Sequence, residues 1–175
     1  MKWSSKINLT AIRDPEEIIT RHFGESLFAA RHLFPISADS QSAIDLGSGA
    51  GFPGLPLKIW NEALDLTLVE SNQRKAVFLR EVGRALGLSG VKVQAERAEK
   101  LSASADLVIL RAVERFEQIL PTAQRPMKPQ GRLALLIGDA QAHSARDTLT
   151  DLRWEPPLHI PLSRNRSLLV GFAGS

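Results

Sequence analysis

The stretch of sequence that decides the fold is Ala43-Ile44-Asp45-Leu46-Gly47-Ser48-Gly49-Ala50-Gly51-Phe52-Pro53-Gly54. Apolar residues typical of a buried strand lead into three glycines at alternating positions, and the apolar residues of a helix follow. A glycine turn between a strand and a helix is typical of α/β domains that bind nucleotides or nucleosides at the ends of parallel strands. The alternative is a tight structural turn that binds nothing.

The spacing of the glycines indicates which ligand the turn accommodates. In the dinucleotide fingerprint G-x-G-x-x-G, the last glycine lets a pyrophosphate approach the start of the helix. Phe52 occupies that sixth position here, so the turn favours a ligand without phosphate, such as S-adenosylmethionine. Asp45 would then lie near the cationic amino group of the ligand. The predicted cofactor contacts in this stretch are Asp45, Gly47, Ser48, Gly49, Gly51 and Phe52.

The rest of the chain alternates short apolar strands with amphipathic helices. Strands are predicted at residues 42–46, 66–69, 91–94, 107–110, 133–137, 158–162 and 168–172. This alternation predicts an α/β fold with a central, mostly parallel sheet and helices on both faces. A turn at residues 163–166 separates the last two strands, which predicts an antiparallel hairpin at the C-terminal edge of the sheet.

A helix precedes the first strand. Asp14 can cap this helix and Pro15 suits its first turn. Its apolar residues recur at helical spacing: Ile19, Phe23, Leu27 and Ala30. We expect this stripe to pack against the rest of the protein. A chain of 175 residues fits a single domain, with a leading helical segment at residues 1–40 and an α/β core at residues 41–175.

Ligands of parallel sheets bind beyond the carboxyl ends of the strands, so the residues after each strand are candidates for the site. Glu70 ends the second strand, beside Ser71, and can accept hydrogen bonds from both ribose hydroxyls; the alternative is an exposed carboxylate. Ala98 and Glu99 follow the third strand, where backbone groups can bind an adenine edge. Arg111 follows the fourth strand and suits a carboxylate or a phosphate. The alternative for Arg111 is a structural salt bridge.

The composition excludes several functions. The chain has no cysteine, which excludes disulfides, cysteine-ligated zinc and methylation at C5 of a pyrimidine through a cysteine adduct. The four histidines lack metal-ligand spacing, so we predict no metal site. No apolar run approaches the roughly 20 residues of a membrane-spanning helix, and no secretory leader is recognisable, so we expect a cytoplasmic protein without membrane association.

The positive charge is concentrated in the second part of the chain. Residues 1–110 hold 13 Lys/Arg and 13 Asp/Glu, whereas residues 111–175 hold 9 Lys/Arg and 6 Asp/Glu, which accounts for the whole net charge of +3. A basic region of this kind indicates a phosphate-bearing partner, with Arg164 and Arg166 in the predicted turn as candidate RNA contacts. An ordinary surface of a small protein with no such partner is the alternative.

Five motifs, in this order along the chain, carry a resemblance to one family. They are Asn8-Leu9-Thr10-Ala11-Ile12, His22-Phe23-Gly24-Glu25-Ser26-Leu27, Asp45 through Pro56, Phe78-Leu79-Arg80-Glu81-Val82 and Arg111-Ala112. Together they resemble the bacterial small-subunit rRNA guanine-N7 methyltransferases, also called the glucose-inhibited division protein B family. The resemblance extends over nearly the whole chain, and the F-P-G-L-P portion is its most specific part.

The resemblance implies a Rossmann-like class I methyltransferase that transfers a methyl group from S-adenosylmethionine to N7 of a guanine. The implied substrate is 16S ribosomal RNA or a precursor of the small ribosomal subunit, and we expect a monomer. The implied cofactor contacts are Gly47, Phe52, Ala98, Glu99 and Arg111, with Glu70 in the ribose position. Asn8, His22 and Ser26 would lie on the substrate side, with Arg111, His22 and Ser26 positioning the substrate. The alternative for His22 and Ser26 is the ordinary face of an amphipathic helix.

The chain departs from the family pattern at three places. Glu25 replaces an aspartate, Ile137 replaces a lysine after the fifth strand, and the additional N-terminal helical segment of family members is missing, which indicates a divergent or N-terminally short member. One alternative function is therefore a non-catalytic or retargeted RNA-binding protein that retains the cofactor pocket. A second is a nicotinamide-dependent oxidoreductase, against which the position of Phe52 argues.

Overall fold

The computed structural model describes residues 9, 14–34, 40–112 and 116–174. Its helices are α1 (Pro15–Glu17), a π-helix (Ile18–Gly24), α2 (Glu25–Leu33), α3 (Gly54–Trp60), α4 (Gln73–Ala85), a 3-10 helix (Ala98–Lys100), α5 (Phe116–Gln124) and α6 (Asp139–Thr148). Its strands are β1 (Ser42–Leu46), β2 (Asp65–Val69), β3 (Val91–Gln94), β4 (Ala105–Arg111), β5 (Met127–Gly138), β6 (Leu152–Trp154), β7 (Leu158–His159) and β8 (Arg166–Ala173).

The strands form one sheet in the order β3-β2-β1-β4-β5-β8-β6, with β7 paired to β8 outside this path. The pairs from β3 to β5 are parallel, and the three pairs made by β8 are antiparallel. The predicted mostly parallel sheet with antiparallel strands at its end is therefore confirmed. However, β8 lies between β5 and β6 rather than at the edge, and the three-residue strand β6 was not predicted.

Helices cover both faces of the sheet, and alternate residues of β1 show how the core is divided. Ile44 and Leu46 belong to the apolar cluster beneath α5 and α6. Ala43 belongs to the opposite cluster, which α2, α3 and α4 cover. Because successive side chains of a strand point to opposite faces, each helix layer buries its own apolar surface against the same strands.

The leading helix presents a different face to the core from the one that its apolar stripe predicted. Three residues of that stripe are exposed: Ile19 (62%), Phe23 (44%) and Leu27 (41%). Only Ala30 of the stripe is buried, and the inward face carries the polar residues His22, Glu25 and Ser26. The prediction of an inward-packing stripe is therefore wrong. The reason lies in the tertiary structure: the polar face of the helix forms ion pairs and hydrogen bonds with charged groups at the strand ends, which are described below.

A polar cluster ties the amino ends of the central strands together. Asp106 Oδ2 accepts hydrogen bonds from the backbone N–H of Ser42 at 2.8 Å and from its hydroxyl at 2.6 Å. Lys128 Nζ lies 3.1 Å from the same oxygen. Burial opposes ionisation, but the hydrogen bonds from Ser42 and the Lys128 charge outweigh it and lower the pKa of Asp106 to about 2.

We predict that Asp106→Asn lowers the free energy of unfolding by an amount that depends on pH. A depressed carboxyl pKa contributes stability that is complete above its unfolded value, near 3.8, and is lost as the pH falls to about 2. The difference between wild type and variant should therefore be constant above pH 5 and shrink between about pH 4 and pH 2. Urea unfolding at several pH values measures it, and a difference that does not change with pH would contradict the assignment.

Candidate active site and cofactor pocket

The glycine loop after β1 has a backbone that only glycines adopt readily. Gly47, Gly49 and Gly51 have φ angles of 72°, 56° and 91°, all in the left-handed region. At Gly51, a Cβ would also lie 2.5 Å from Cδ1 of Leu55, so that side chain would have to move. The loop therefore turns sharply from the end of β1 into α3, as the sequence predicted, and brings its backbone to the carboxyl edge of the sheet.

Asp45 is buried beneath this loop. Its Oδ2 accepts a hydrogen bond from the backbone N–H of Gly54 at 3.1 Å, and the Ser48 hydroxyl donates to its backbone oxygen at 2.8 Å. A Cβ at Gly54 would lie 2.6 Å from Oδ2, so the glycine is required for this contact. Burial raises the pKa of Asp45 to about 7, because the ionised carboxylate is desolvated. The carboxyl group thus holds the first turn of α3.

Glu70 links the glycine loop to the next helix. Its Oε2 accepts a hydrogen bond from the N–H of Gly49 at 2.9 Å, and its Oε1 accepts one from the N–H of Asn72 at 2.7 Å. Asn72 in turn caps α4 through its side chain. Glu70 is 7% exposed, so the alternative of an exposed carboxylate is wrong. One buried carboxylate positions both the loop and the start of α4.

A pocket of about 270 Å³ opens beside these residues, at the carboxyl ends of β1, β2, β3 and β4. It is lined by Leu46, Gly47, Val69, Ser71, Glu96, Arg97, Ala98, Glu99, Leu110 and Ile119. Four residues predicted as cofactor contacts, Gly47, Ser71, Ala98 and Glu99, lie together in this lining. The apolar walls were not predicted, although Leu46, Val69 and Leu110 are the last apolar residues of three predicted strands.

Arg111 lies at the centre of a buried ionic cluster between the leading helix and the sheet. Its Nε and Nη2 donate to Oε2 of Glu25 at 3.2 and 3.0 Å, and Nη2 also donates to the backbone oxygen of Arg21. On the other side, Arg166 Nε lies 2.8 Å from Glu25 Oε1, although that N–H is not aligned as a hydrogen bond. The structure therefore contains the salt bridge that was the alternative interpretation of Arg111.

His22 belongs to the same cluster and is held in its neutral form. Its Nδ1 lies 3.0 Å from Arg111 Nη2, and because a guanidinium only donates, Nδ1 accepts and the proton is on Nε2. Burial and, next, the Arg111 charge lower the pKa of His22 to about 4. The buried Ser26 hydroxyl donates a hydrogen bond to the backbone oxygen of His22, one turn earlier in the same helix.

Phe52 lies apart from the pocket lining and packs against the leading helix instead. Its ring stacks on His22, with 5.0 Å between centroids and 20° between planes. Phe23 meets Phe52 edge to face at 4.9 Å. Phe52, predicted as a cofactor contact, thus joins the glycine loop to His22, which was predicted to lie on the substrate side.

Comparison with known proteins decides the family. A family model described as GidB, rRNA small subunit methyltransferase G, matches residues 1–160. The chain belongs to the GidB family. It is 38% identical over 146 residues to the ribosomal RNA small subunit methyltransferase G of Myxococcus xanthus (strain DK1622), covering 81% of this chain and 65% of that protein. With its namesake from Stenotrophomonas maltophilia (strain K279a), it shares 42% identity over 139 residues, covering 78% and 63%. This GidB chain spans less than two-thirds of either relative.

Solved structures of other proteins share the fold of this GidB chain. A SAM-dependent methyltransferase from Aquifex aeolicus superposes with a TM-score of 0.70 at 16% identity, covering 95% of this chain and 96% of that one. TYW2 of M. jannaschii, solved in complex with AdoMet, superposes with a TM-score of 0.65 at 15% identity, covering 85% and 74%. At such low identity these likenesses establish the Rossmann-like methyltransferase fold.

The residues predicted to contact RNA differ in their exposure in this GidB chain. A second cleft, of about 500 Å³, lies between the π-helix and the turn before β8, and Arg21, Arg164 and Arg166 are part of its lining. Arg164 is exposed, whereas Arg166 pairs with Glu25 and donates to the Leu136 oxygen at 3.2 Å. Asn8 lies outside the described residues.

Ile137, where the family resemblance led us to expect a lysine, is buried against α5 and α6 in this GidB chain. It is 3% exposed and belongs to the same apolar cluster as Phe116 and Ala142. A lysine there would have to lead its charged end out of this cluster or lose hydration. The substitution is therefore compatible with the packing of the sheet.

We predict that Glu25→Ala strongly destabilises this GidB protein. Removing one partner of a buried ion pair costs about 3–5 kcal/mol, because the remaining charges are left desolvated. The side chains of Glu25 and Arg111 are only 2% and 9% exposed. The matched control is Glu81→Ala, which removes an exposed pair with Arg84 and should cost less than about 1 kcal/mol. Urea unfolding measures both free energies, and similar losses would contradict a buried cluster.

Proposed function

We propose that this protein transfers a methyl group from S-adenosylmethionine to N7 of a guanine in 16S ribosomal RNA. The observation that carries the proposal is the pocket at the carboxyl ends of β1 to β4, beside a glycine loop and Glu70, in a chain whose family model is an rRNA methyltransferase. The choice of N7 comes from the family resemblance. We further propose that residues 1–175 act as one domain, with residues 1–40 leading into the α/β core.

The pocket residues fit the cofactor in chemistry as well as in position. Apolar side chains of Leu46, Val69 and Leu110 form walls suited to an adenine ring, and Ala98 and Glu99 offer backbone groups at its edge. Glu70 lies at the end of β2, and each carboxylate oxygen keeps a lone pair beyond its contact with a backbone N–H. These lone pairs can accept hydrogen bonds from ribose hydroxyls.

The chemistry needs alignment rather than a strong base. The cofactor supplies a methyl group on a sulfonium, and guanine N7 carries an in-plane lone pair and no proton to remove. Holding the two reactants in line can supply a large part of the rate enhancement, on the order of 7–11 kcal/mol in favourable cases. A neutral His22, with a pKa near 4, fits a site in which side chains position the base and exclude water.

Arg111 is placed between the cofactor pocket and the leading helix. Within the described residues, its hydrogen bonds use Nε and Nη2, and Nη1 makes none. Leu110, its neighbour on β4, lines the pocket. We therefore propose that Glu25 fixes the guanidinium plane while the remaining edge contacts the cofactor's carboxylate or an RNA phosphate.

The proposed partner is 16S ribosomal RNA or a precursor of the small ribosomal subunit, bound by a monomer. The exposed Arg164 and the positive balance of residues 111–175 support a phosphate-bearing partner. Among the described residues, no helix combines the length and the apolar character that crossing a membrane requires. We expect the reaction to take place in the cytoplasm, where the RNA is made.

We predict that the protein transfers a labelled methyl group to an in vitro transcript of 16S ribosomal RNA, and that nucleoside analysis finds 7-methylguanosine. Arg111→Lys, which keeps the charge but loses the planar fork, should lower turnover per folded molecule about tenfold or more. Each rate is measured well below the melting temperature of that variant. Normal turnover with a lowered melting temperature would assign Arg111 a structural role, and cofactor binding without transfer would favour the non-catalytic alternative.

We predict that Glu70 binds the ribose, in addition to holding the loop. A double-mutant cycle separates these roles, because it isolates the coupling between two groups. Calorimetry compares S-adenosylhomocysteine with its 2′-deoxy analogue on wild type and on Glu70→Ala. Removing the hydroxyl should cost wild type about 1–3 kcal/mol, the scale of hydrogen bonds to charged groups, and should cost the variant much less. Equal penalties on both proteins would contradict a ribose contact.

A further inference from the structure

An aromatic ring that is nearly half exposed lies next to the proposed active site, outside the cofactor pocket lining. Phe23 is 44% exposed, between the exposed side chains of Ile19 and Leu27 on the same face of the leading helix. The opposite face of this helix is occupied by buried polar residues. A contiguous apolar strip that remains on the surface beside a site often marks a binding surface.

Ring contacts connect this strip to the end of β4. Phe23 packs edge to face on Phe52, Phe52 stacks on His22, and His22 hydrogen-bonds with Arg111. Phe52 belongs to the loop that follows β1, and Arg111 ends β4. The exposed ring of Phe23 is thus the outermost member of a series that begins where cofactor and target base would meet.

The proposed RNA substrate makes an unpaired nucleobase the expected occupant of the strip. Arg21 and Arg164, together with Glu17 and Glu25, line a separate cleft on the other side of the same helix. Sequence-specific recognition of RNA uses unpaired bases that stack on aromatic rings, while arginines bind the phosphates. A guanine that leaves its stack to enter an active site exposes the face of the neighbouring base.

We propose that Phe23 is a stacking platform for an unpaired nucleobase of the RNA substrate, adjacent to the target guanine. The inference rests on the proposed function and adds to it a binding residue outside the cofactor pocket. Phe52 supports the ring from below, and Ile19 and Leu27 border it with apolar surface.

The test separates stacking from simple apolar contact. Phe23→Leu keeps an apolar side chain but removes the aromatic face, whereas Phe23→Trp enlarges that face. Filter binding with an in vitro 16S transcript should show an RNA dissociation constant about tenfold higher for Phe23→Leu and no higher for Phe23→Trp. The control is Trp60→Leu, which removes an aromatic side chain of similar exposure (45%) at the far end of α3, and its RNA affinity should equal that of wild type.

Further measurements exclude an indirect effect. The melting temperature of Phe23→Leu should fall only slightly, because one edge-to-face contact with Phe52 is lost. Its affinity for S-adenosylhomocysteine should match wild type, and in methyl transfer its KM for RNA should rise while kcat changes little. If Phe23→Leu binds the transcript as tightly as wild type does, or loses cofactor affinity in parallel, stacking is overturned. If wild type and Phe23→Trp bind the transcript but no protein methylates it, the proposed function fails while the stacking platform stands. If wild type does not bind the transcript, both fail.

Discussion

The carboxylate of Glu25 is buried between two guanidinium groups, one at the end of β4 and one at the start of β8. This contact is the constraint on which the arrangement of the site depends. A desolvated carboxylate is tolerated only with partners, so the leading helix must take the one orientation that brings Glu25 to Arg111 and Arg166. That orientation places His22 against Phe52 and leaves Phe23 outside. One buried carboxylate, through its two ion pairs, therefore positions the substrate side of the proposed site.

A second buried carboxylate organises the proposed cofactor side. Glu70 accepts N–H groups from Gly49 and Asn72, and so fixes the glycine loop relative to α4. Asp45 holds the start of α3 in the same manner through Gly54. The carboxyl edge of the sheet is thus built from acids that satisfy loop and helix-end donors, groups that would otherwise remain unpaired. The pocket lies between these fixed points, which gives it a defined shape before any ligand binds.

Much of the fold followed from local patterns. The predicted strands at residues 42–46 and 91–94 coincide with β1 and β3, because short apolar runs between turns specify strands directly. The strand β6 escaped prediction because three residues carry no periodicity. Of the predicted cofactor residues, Gly47, Ser71, Ala98 and Glu99 share one pocket lining, since their places after successive strands bring them to one edge of a parallel sheet. The ionic cluster could not be predicted, because Glu25 and Arg111 are separated by 86 residues.

The sequence by itself determined the alternation of strands and helices, the left-handed glycine turn and the set of residues at the strand ends. These are local properties, set by backbone conformation and by the spacing of apolar residues. Only the tertiary structure decided which face of the leading helix is buried. Apolar periodicity predicted that Ile19, Phe23 and Leu27 pack inward, yet they are exposed. Long-range charge pairing by Glu25 prevailed there, because an unpaired buried charge costs more than three partly exposed apolar side chains.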